Sequence, residues 1–202
     1  MKYYVIYKPF RMLSQFKKEG KFTTLGELFD FPKDVYPVGR LDADSEGLLV
    51  LTNDKKLNYL LLDPGHKHKR TYLVQVEGII SDQAILQMQQ GVGISVEGKP
   101  HHTRKADAEK VNEPDWLPAR YPPVRFRKDI PTSFFELTLY EGKNRQVRRM
   151  TAAVGYPTLR LIRIAIEDLL IGSMQPGEVK EFTATELYSL LKIKHPAVKT
   201  AG

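Results

Sequence analysis

An α+β fold, with a mostly antiparallel mixed sheet and flanking helices, is predicted by three features of the chain. Short runs of apolar, β-branched and aromatic residues recur along it, capped helical segments fall between them in no regular order, and no glycine-rich nucleotide loop follows any strand. A doubly wound parallel sheet would need strand and helix to alternate. Neither GxGxxG after a strand nor GxxxxGK followed by Ser or Thr occurs.

Tyr3 to Tyr7 is an apolar run stopped by Lys8 and Pro9, long enough for a strand and too short for an export signal or a membrane span. Thr24 and Glu27 form a capping box for a short helix to Phe29. Leu48 to Thr52 is an unbroken, largely apolar run, the pattern of a strand buried on both faces. Asp54 then caps a helix through Leu62, which Pro64 and Gly65 stop. Thr71 to Val76 is a strand, Ser81 opens a helix ending at Gly91, and Val92 to Val96 returns to strand. From Gly98 to Pro131 the chain is rich in proline and carries Trp116, which predicts an exposed excursion containing one strand. Ser133 to Tyr140 alternates, Asn144 is placed to cap a helix ending at Gly155, and Thr158 to Ile166 alternates Leu and Ile with Arg, predicting a strand with one wet face. Glu178 to Phe182 is the last strand, before a Thr183/Glu186 capping box and a helix to Lys192.

No repeat, low-complexity tract or long linker divides the 202 residues, so one catalytic or binding unit over 1–192 is expected, with a disordered tail over 193–202. The absence of cysteine excludes disulfides, thiolate zinc sites and thiol nucleophiles, and agrees with a reducing cytoplasmic location. Net charge is +7, which favours a polyanionic partner over a membrane. Part of that charge is concentrated: Gly142 to Ile166 holds six Lys or Arg and no carboxylate. The five histidines lack carboxylate or cysteine partners at ligand spacing and are expected at the surface, with no metal site.

The segment Gly39-Arg40-Leu41-Asp42-Ala43-Asp44-Ser45-Glu46-Gly47 sets three carboxylates and one Arg between two apolar runs. An arbitrary acidic loop of this kind is a solvated turn. Calcium is the sharper rival, since Asp42, Asp44 and Glu46 imitate half an EF-hand loop. It fails because Asn53 stands where the bidentate Glu belongs and a strand-like run follows instead of a helix. A catalytic carboxylate at the start of a strand is the third reading.

From Gly39 to Asp54 the residues resemble the signature of the RsuA-type ribosomal RNA pseudouridine synthases, in which the nucleophilic Asp follows Arg-Leu. Three more segments match in order: Lys69 to Val74 resembles the family's Lys-x-Tyr strand, with Arg70 where Lys is common; Glu141 to Met150 resembles its basic turn and helix; and Leu161 to Ile166 resembles the strand after it, with Glu167 where the family has Gly. The similarity runs from about Tyr4 to Phe182. Lys8-Pro9-Phe10, Glu113-Pro114, Trp116 and Pro122-Pro123 are most similar to the RluE-like large-subunit branch, which lacks an N-terminal S4 RNA-binding domain.

The resemblance implies the two-lobed catalytic fold of these synthases and a reaction in which a flipped uridine is cleaved from its ribose and rejoined through C5. It assigns Asp42 as the catalytic carboxylate, Arg148 as its cationic partner and Tyr72 as the residue against the uracil. Arg40 is placed to hold the flipped nucleotide's phosphate or its vacated space. Lys143, Arg145, Arg149, Arg160 and Arg163 are expected as a basic group facing RNA, although alternation turns Arg160 and Arg163 different ways. Trp116 and Tyr121 are candidates for base stacking. No cofactor is implied. The partner is large-subunit ribosomal RNA or a pre-ribosomal particle, and the protein is expected to act as a monomer.

Two other classes compete. A non-catalytic RNA-binding or ribosome-assembly protein has no use for a carboxylate in a basic cleft, where it repels phosphate. A glycoside hydrolase using Asp42 and Glu46 would need its carboxylates on two sides of a sugar, not on one short turn.

Overall fold

Among the described residues, 1–125 and 127–194 of a computed structural model, nine strands form one mixed sheet. The chain opens with β1 (Tyr3–Lys8), β2 (Met12–Leu13), β3 (Thr23–Thr24), β4 (Tyr36–Pro37) and β5 (Glu46–Thr52), then α1 (Lys55–Leu62) and β6 (Arg70–Glu77). It continues through α2 (Asp82–Gln90), β7 (Gly93–Val96), β8 (Lys99–His102), β9 (Asp107–Val111) and β10 (Thr132–Leu139). It closes with α3 (Gln146–Ala153), β11 (Thr158–Ile166), β12 (Leu169–Leu170), β13 (Val179–Glu181) and α4 (Ala184–Leu190). The sheet runs β13-β1-β5-β11-β6-β10-β9, antiparallel throughout except where β11 meets β5. The predicted α+β class is therefore the observed one.

Side-chain alternation divides the core in the way strand geometry requires. One face carries Tyr3, Val5, Tyr7, Leu48, Val50, Leu73 and Ile162 against Leu57 and Leu61 of α1 and Leu187 and Tyr188 of α4. The other face is covered twice. Tyr4, Ile6, Leu49 and Leu51 pack on the N-terminal segment through Met12, Leu25, Phe31 and Val35, while Val74, Val76, Phe135, Leu137 and Leu161 pack on α2 and α3 through Ile85, Met88, Val147 and Met150. Two lobes thus share one face of the sheet.

Local signals account for most boundaries. The Asp54 carboxylate accepts from the backbone N–H of Lys56 (2.9 Å) and Leu57 (3.1 Å) to start α1. The Glu27 carboxylate accepts from the Thr24 N–H, and that of Glu186 accepts from the Thr183 N–H, so both capping boxes form; the first starts only a 3₁₀ turn over Leu25–Glu27. The turn at Glu167 forms without glycine: this residue takes a left-handed φ of 50°, and its carboxylate accepts from the Lys69 N–H at 2.8 Å, which offsets the steric cost.

Four expectations are corrected. Asn144 does not cap α3. Arg145 stands there with φ 51°, and the Gln146 side chain ties the turn instead, accepting from the Lys143 N–H and donating to Glu141. The Gly98–Pro131 stretch contains two strands, because Glu97 and Gly98, both at positive φ, turn β7 into β8, and β9 extends the sheet edge on β10. Among the described residues the irregular part is 112–125 and 127–131. Strand β11 has no wet face, since Arg160 and Arg163 are 5% and 6% exposed. His68 is buried, its Nδ1 3.2 Å from a Glu167 oxygen, and His101 lies 3.4 Å from Glu141, so not every histidine is a surface residue. The tail expected over 193–202 lies outside the described residues from 195 on.

Candidate active site

The acidic turn is held between two glycines, both at positive φ. Gly39 has φ 73° and Gly47 φ 103°, and a Cβ at Gly47 would overlap the backbone of Arg163 on the neighbouring strand. Between them the loop is pinned from the N-terminal segment. The Ser14 hydroxyl donates to the Leu41 carbonyl (2.8 Å) and accepts from its N–H (3.0 Å), and the Arg11 N–H donates to the Ala43 carbonyl at 2.7 Å. The Ser45 N–H closes a turn on the Asp42 carbonyl. Asp42 therefore sits on a braced backbone with its side chain about one-third exposed, 34%.

Each carboxylate of the turn meets an arginine from the basic segment. Arg145 forks onto Asp44 (3.0 and 2.7 Å) and lies 3.6 Å from an Asp42 oxygen. Arg148 donates to the Asp44 backbone carbonyl at 2.6 Å and to that of Thr158 at 3.3 Å, and its Nε forms a 3.3 Å ion pair with the Asp44 carboxylate. Glu46, buried on the opposite face, is bound by Arg160 at 2.9 and 2.8 Å. Burial opposes charge on Asp44, but the Arg145 hydrogen bond and the charges of Arg148 and Arg145 outweigh it and hold the carboxyl below its ordinary value.

This revises the cationic assignments. The guanidinium paired with Asp42 belongs to Arg145, while Arg148, one helical turn further on, braces Asp44. Arg160 and Arg163 point to opposite faces, as their spacing predicts, and both are buried: Arg160 serves Glu46, and the Arg163 Nε donates to the Leu48 carbonyl at 2.8 Å. Arg149 is occupied by the carbonyls of Ser95 and Asn144. Within the basic segment only Lys143 keeps an exposed head with no side-chain ion pair among the described residues.

Asp42, Arg40, Tyr72, Lys143, Arg145 and Arg163 line one cleft of about 760 Å³ on the sheet face shared by the two lobes. That volume is in the range of small-ligand sites and admits a nucleoside. Tyr72 stands on β6 opposite Arg163 of β11 and packs against the second lobe's core, with Leu139, Val147 and Leu161 as apolar wall. Arg148, Arg149 and Arg160 are not among the lining residues.

The structure adds cations that sequence reasoning missed. Lys67, Arg70 and Arg104 also line the cleft, outnumbering its further carboxylates Asp63 and Glu141. Arg70 is fixed by the carbonyls of His68 and Leu61. Below the acidic turn, Lys8 is fully buried, its Nζ donating to the carbonyls of Pro9 (2.9 Å) and Met12 (2.8 Å). Burial brings its pKa down to about 7 against the pull of Glu46, Asp44 and Asp42. The run His66 to Arg70 advertised its charge, whereas Lys8 had no signal beyond its place at the end of an apolar run. Among the described residues no group of three or more His, Asp or Glu side chains is arranged to hold a metal ion.

Comparisons with known proteins agree with this geometry. A family model described as RNA pseudouridylate synthase matches residues 2–153. The chain is 46% identical over 175 residues to the ribosomal large subunit pseudouridine synthase E of Vibrio parahaemolyticus, covering 86% of this chain and 71% of that protein. It is 48% identical over 171 residues to the protein of the same name from Xanthomonas axonopodis pv. citri, covering 84% and 87%. A solved pseudouridylate synthase superposes with a TM-score of 0.75 at 26% identity, covering 94% of this chain and 73% of that one.

Proposed function

Since the chain belongs to the RNA pseudouridylate synthase family, we propose that it isomerises one uridine of large-subunit ribosomal RNA, with Asp42 as the catalytic carboxylate. The observation that carries this is the meeting of Asp42 and Tyr72 in a nucleoside-sized cleft whose rim is mostly cationic. In the reaction the C1′–N1 bond breaks, the freed uracil turns, C1′ bonds to C5, the C5 proton leaves and N1 gains one. Atoms and electrons balance within the substrate, so the step draws on no cofactor.

A stacked uridine cannot reach Asp42, so the base is everted into the cleft. There the carboxylate acts at the sugar, with the guanidinium of Arg145 3.6 Å from one of its oxygens. Tyr72 offers a ring for the everted uracil to stack on and a hydroxyl for handling the C5 proton. Arg40 and Lys143, both exposed on the rim, are placed for the flanking phosphates. A carboxylate at the centre of this field lowers affinity for phosphate, which speaks against a binding-only role. The proposed substrate is the ribosomal RNA, free or in a pre-ribosomal particle, and the protein works as a monomer in the cytoplasm.

Tritium release from C5-labelled uridine in a large-subunit RNA transcript tests both levels of this reading. The wild-type chain is expected to release tritium, and Asp42→Asn to release none while still binding the transcript. Undiminished release by Asp42→Asn would remove that residue from the chemistry; no release by wild type from any large-subunit RNA would remove the reaction.

A further inference from the structure

The arginines of the basic segment are mostly consumed by internal partners, so the cations that hold RNA outside the cleft must lie elsewhere. The irregular residues 112–125 and 127–131 carry such cations. They root beside the cleft wall: the Arg148 guanidinium, which braces Asp44, donates to the Thr158 carbonyl, and the Arg120 guanidinium donates to the carbonyl of Leu159, the next residue of β11. Arg120 is locked further by the carbonyls of Pro122 (2.9 Å) and Pro123 (3.0 Å) and stacks over the Phe10 ring, 4.1 Å from its centroid. Phe10 precedes Arg11, whose N–H anchors the acidic loop at Ala43.

What this rigid root presents is unlike a loop packed for its own sake. Leu117 is packed against the core, whereas Tyr121, beside the locked Arg120, is 91% exposed. Arg125 and Lys128 are exposed and have no ion pair among the described residues, while Arg127 is engaged by Glu77 at 3.1 Å. A projecting aromatic ring followed by unpaired cations is the chemistry that holds single-stranded RNA, the ring stacking on a base and the cations neutralising phosphates. Trp116 and Ile130 are also exposed, but Arg125 and Lys128 set the character of this surface and favour a polyanion over a protein partner.

We propose that residues 112–125 and 127–131 form a second RNA-docking element, in which Tyr121 stacks on an unpaired base flanking the target uridine and Arg125 and Lys128 bind the adjoining phosphates. This rests on the ribosomal RNA reading above. It assigns the segment to substrate grip and not to the chemical step.

The test uses the full chain in two forms, wild type for turnover and Asp42→Asn for equilibrium binding to an unmodified large-subunit RNA transcript. Tyr121→Ala is expected to weaken binding on the order of tenfold. Arg125→Ala with Lys128→Ala is expected to lower the slope of log Kd against log salt by about 1.5, the loss of two phosphate contacts. In the wild-type background both variants should raise KM and leave kcat and the melting temperature unchanged. Unchanged affinity and salt slope overturn the proposal, as does a loss of kcat at constant affinity. Normal binding to bare RNA with a defect only on assembled particles also overturns it, in favour of a protein-binding surface. Failure of wild type to release tritium defeats the substrate reading separately, since the binding measurements do not depend on turnover.

Discussion

Lys8 shows how a single side chain is tuned by what surrounds it. It is fully buried below the acidic turn, with two backbone carbonyls as hydrogen-bond acceptors and the Glu46, Asp44 and Asp42 charges favouring its protonated form. Burial still wins and lowers its pKa to about 7. Between that value and the ordinary lysine range, the unfolded chain binds a proton that the folded chain has released, so this residue makes stability rise with pH across the window and costs most below it. Lys8→Met removes the titration. Chemical denaturation of wild type should therefore gain about 1.4 kcal/mol per pH unit, relative to Lys8→Met, between pH 7.5 and 9. Parallel pH dependences in the two proteins would show that Lys8 does not titrate there.

The junction of β5 with β11 is where element geometry and chemistry meet. Its parallel register, Ile162 with Glu46 and Arg163 with Gly47, brings the end of the acidic turn against the strand that carries Arg160 and Arg163. The approach is close enough that a Cβ at Gly47 overlaps the Arg163 backbone, and φ 103° disfavours any side chain there. Gly47→Ala should cost about 3 kcal/mol or more through strain and overlap, lowering the melting temperature by roughly 6–12 °C. Because the strain falls at the base of the Asp42 loop, tritium release should drop further than stability alone accounts for. A melting temperature within about a degree of wild type would contradict the close approach.

Across the molecule, one carboxylate joins the ends of the chain to its middle. Asp54 caps α1 and accepts hydrogen bonds from the hydroxyls of Tyr3 on β1 (2.8 Å) and Tyr188 on α4 (2.7 Å). Burial opposes its charge, but the hydroxyls of Tyr188 and Tyr3 and the N–H groups of Leu57 and Lys56 outweigh it, so its pKa lies below the ordinary Asp value. Asp54→Ala removes a cap and takes the Asp54 acceptor away from two buried hydroxyls, at a cost of about 3 kcal/mol. A group with a depressed folded pKa stabilises above its unfolded value and loses that contribution as pH falls through the folded one. The difference between wild type and Asp54→Ala, followed by urea denaturation, should therefore be full at pH 6 and shrink below about pH 4. A constant difference down to pH 3 would assign the whole effect to packing.

Much of this protein was legible before any coordinates. Capping residues, proline stops and alternation located most strands and all four longer helices, because those signals are local and act through neighbouring backbone. The acidic turn stood out because charge between two buried runs has to be answered by something, and Tyr72 followed from the motif around it. What the sequence could not contain was the partner of each charge. Arg145, Arg148 and Arg160 are all about a hundred residues from the carboxylates they bind, and alternation tells which way a side chain turns without telling whether water or protein covers that side. Folding therefore turned an apparent RNA-facing basic stripe into the internal scaffold of the acidic loop, and left the free cations to the cleft rim and the proline-rich segment. Short-range chemistry fixes the elements; only the packing of distant segments decides which ions are buried against one another and which remain to meet a substrate.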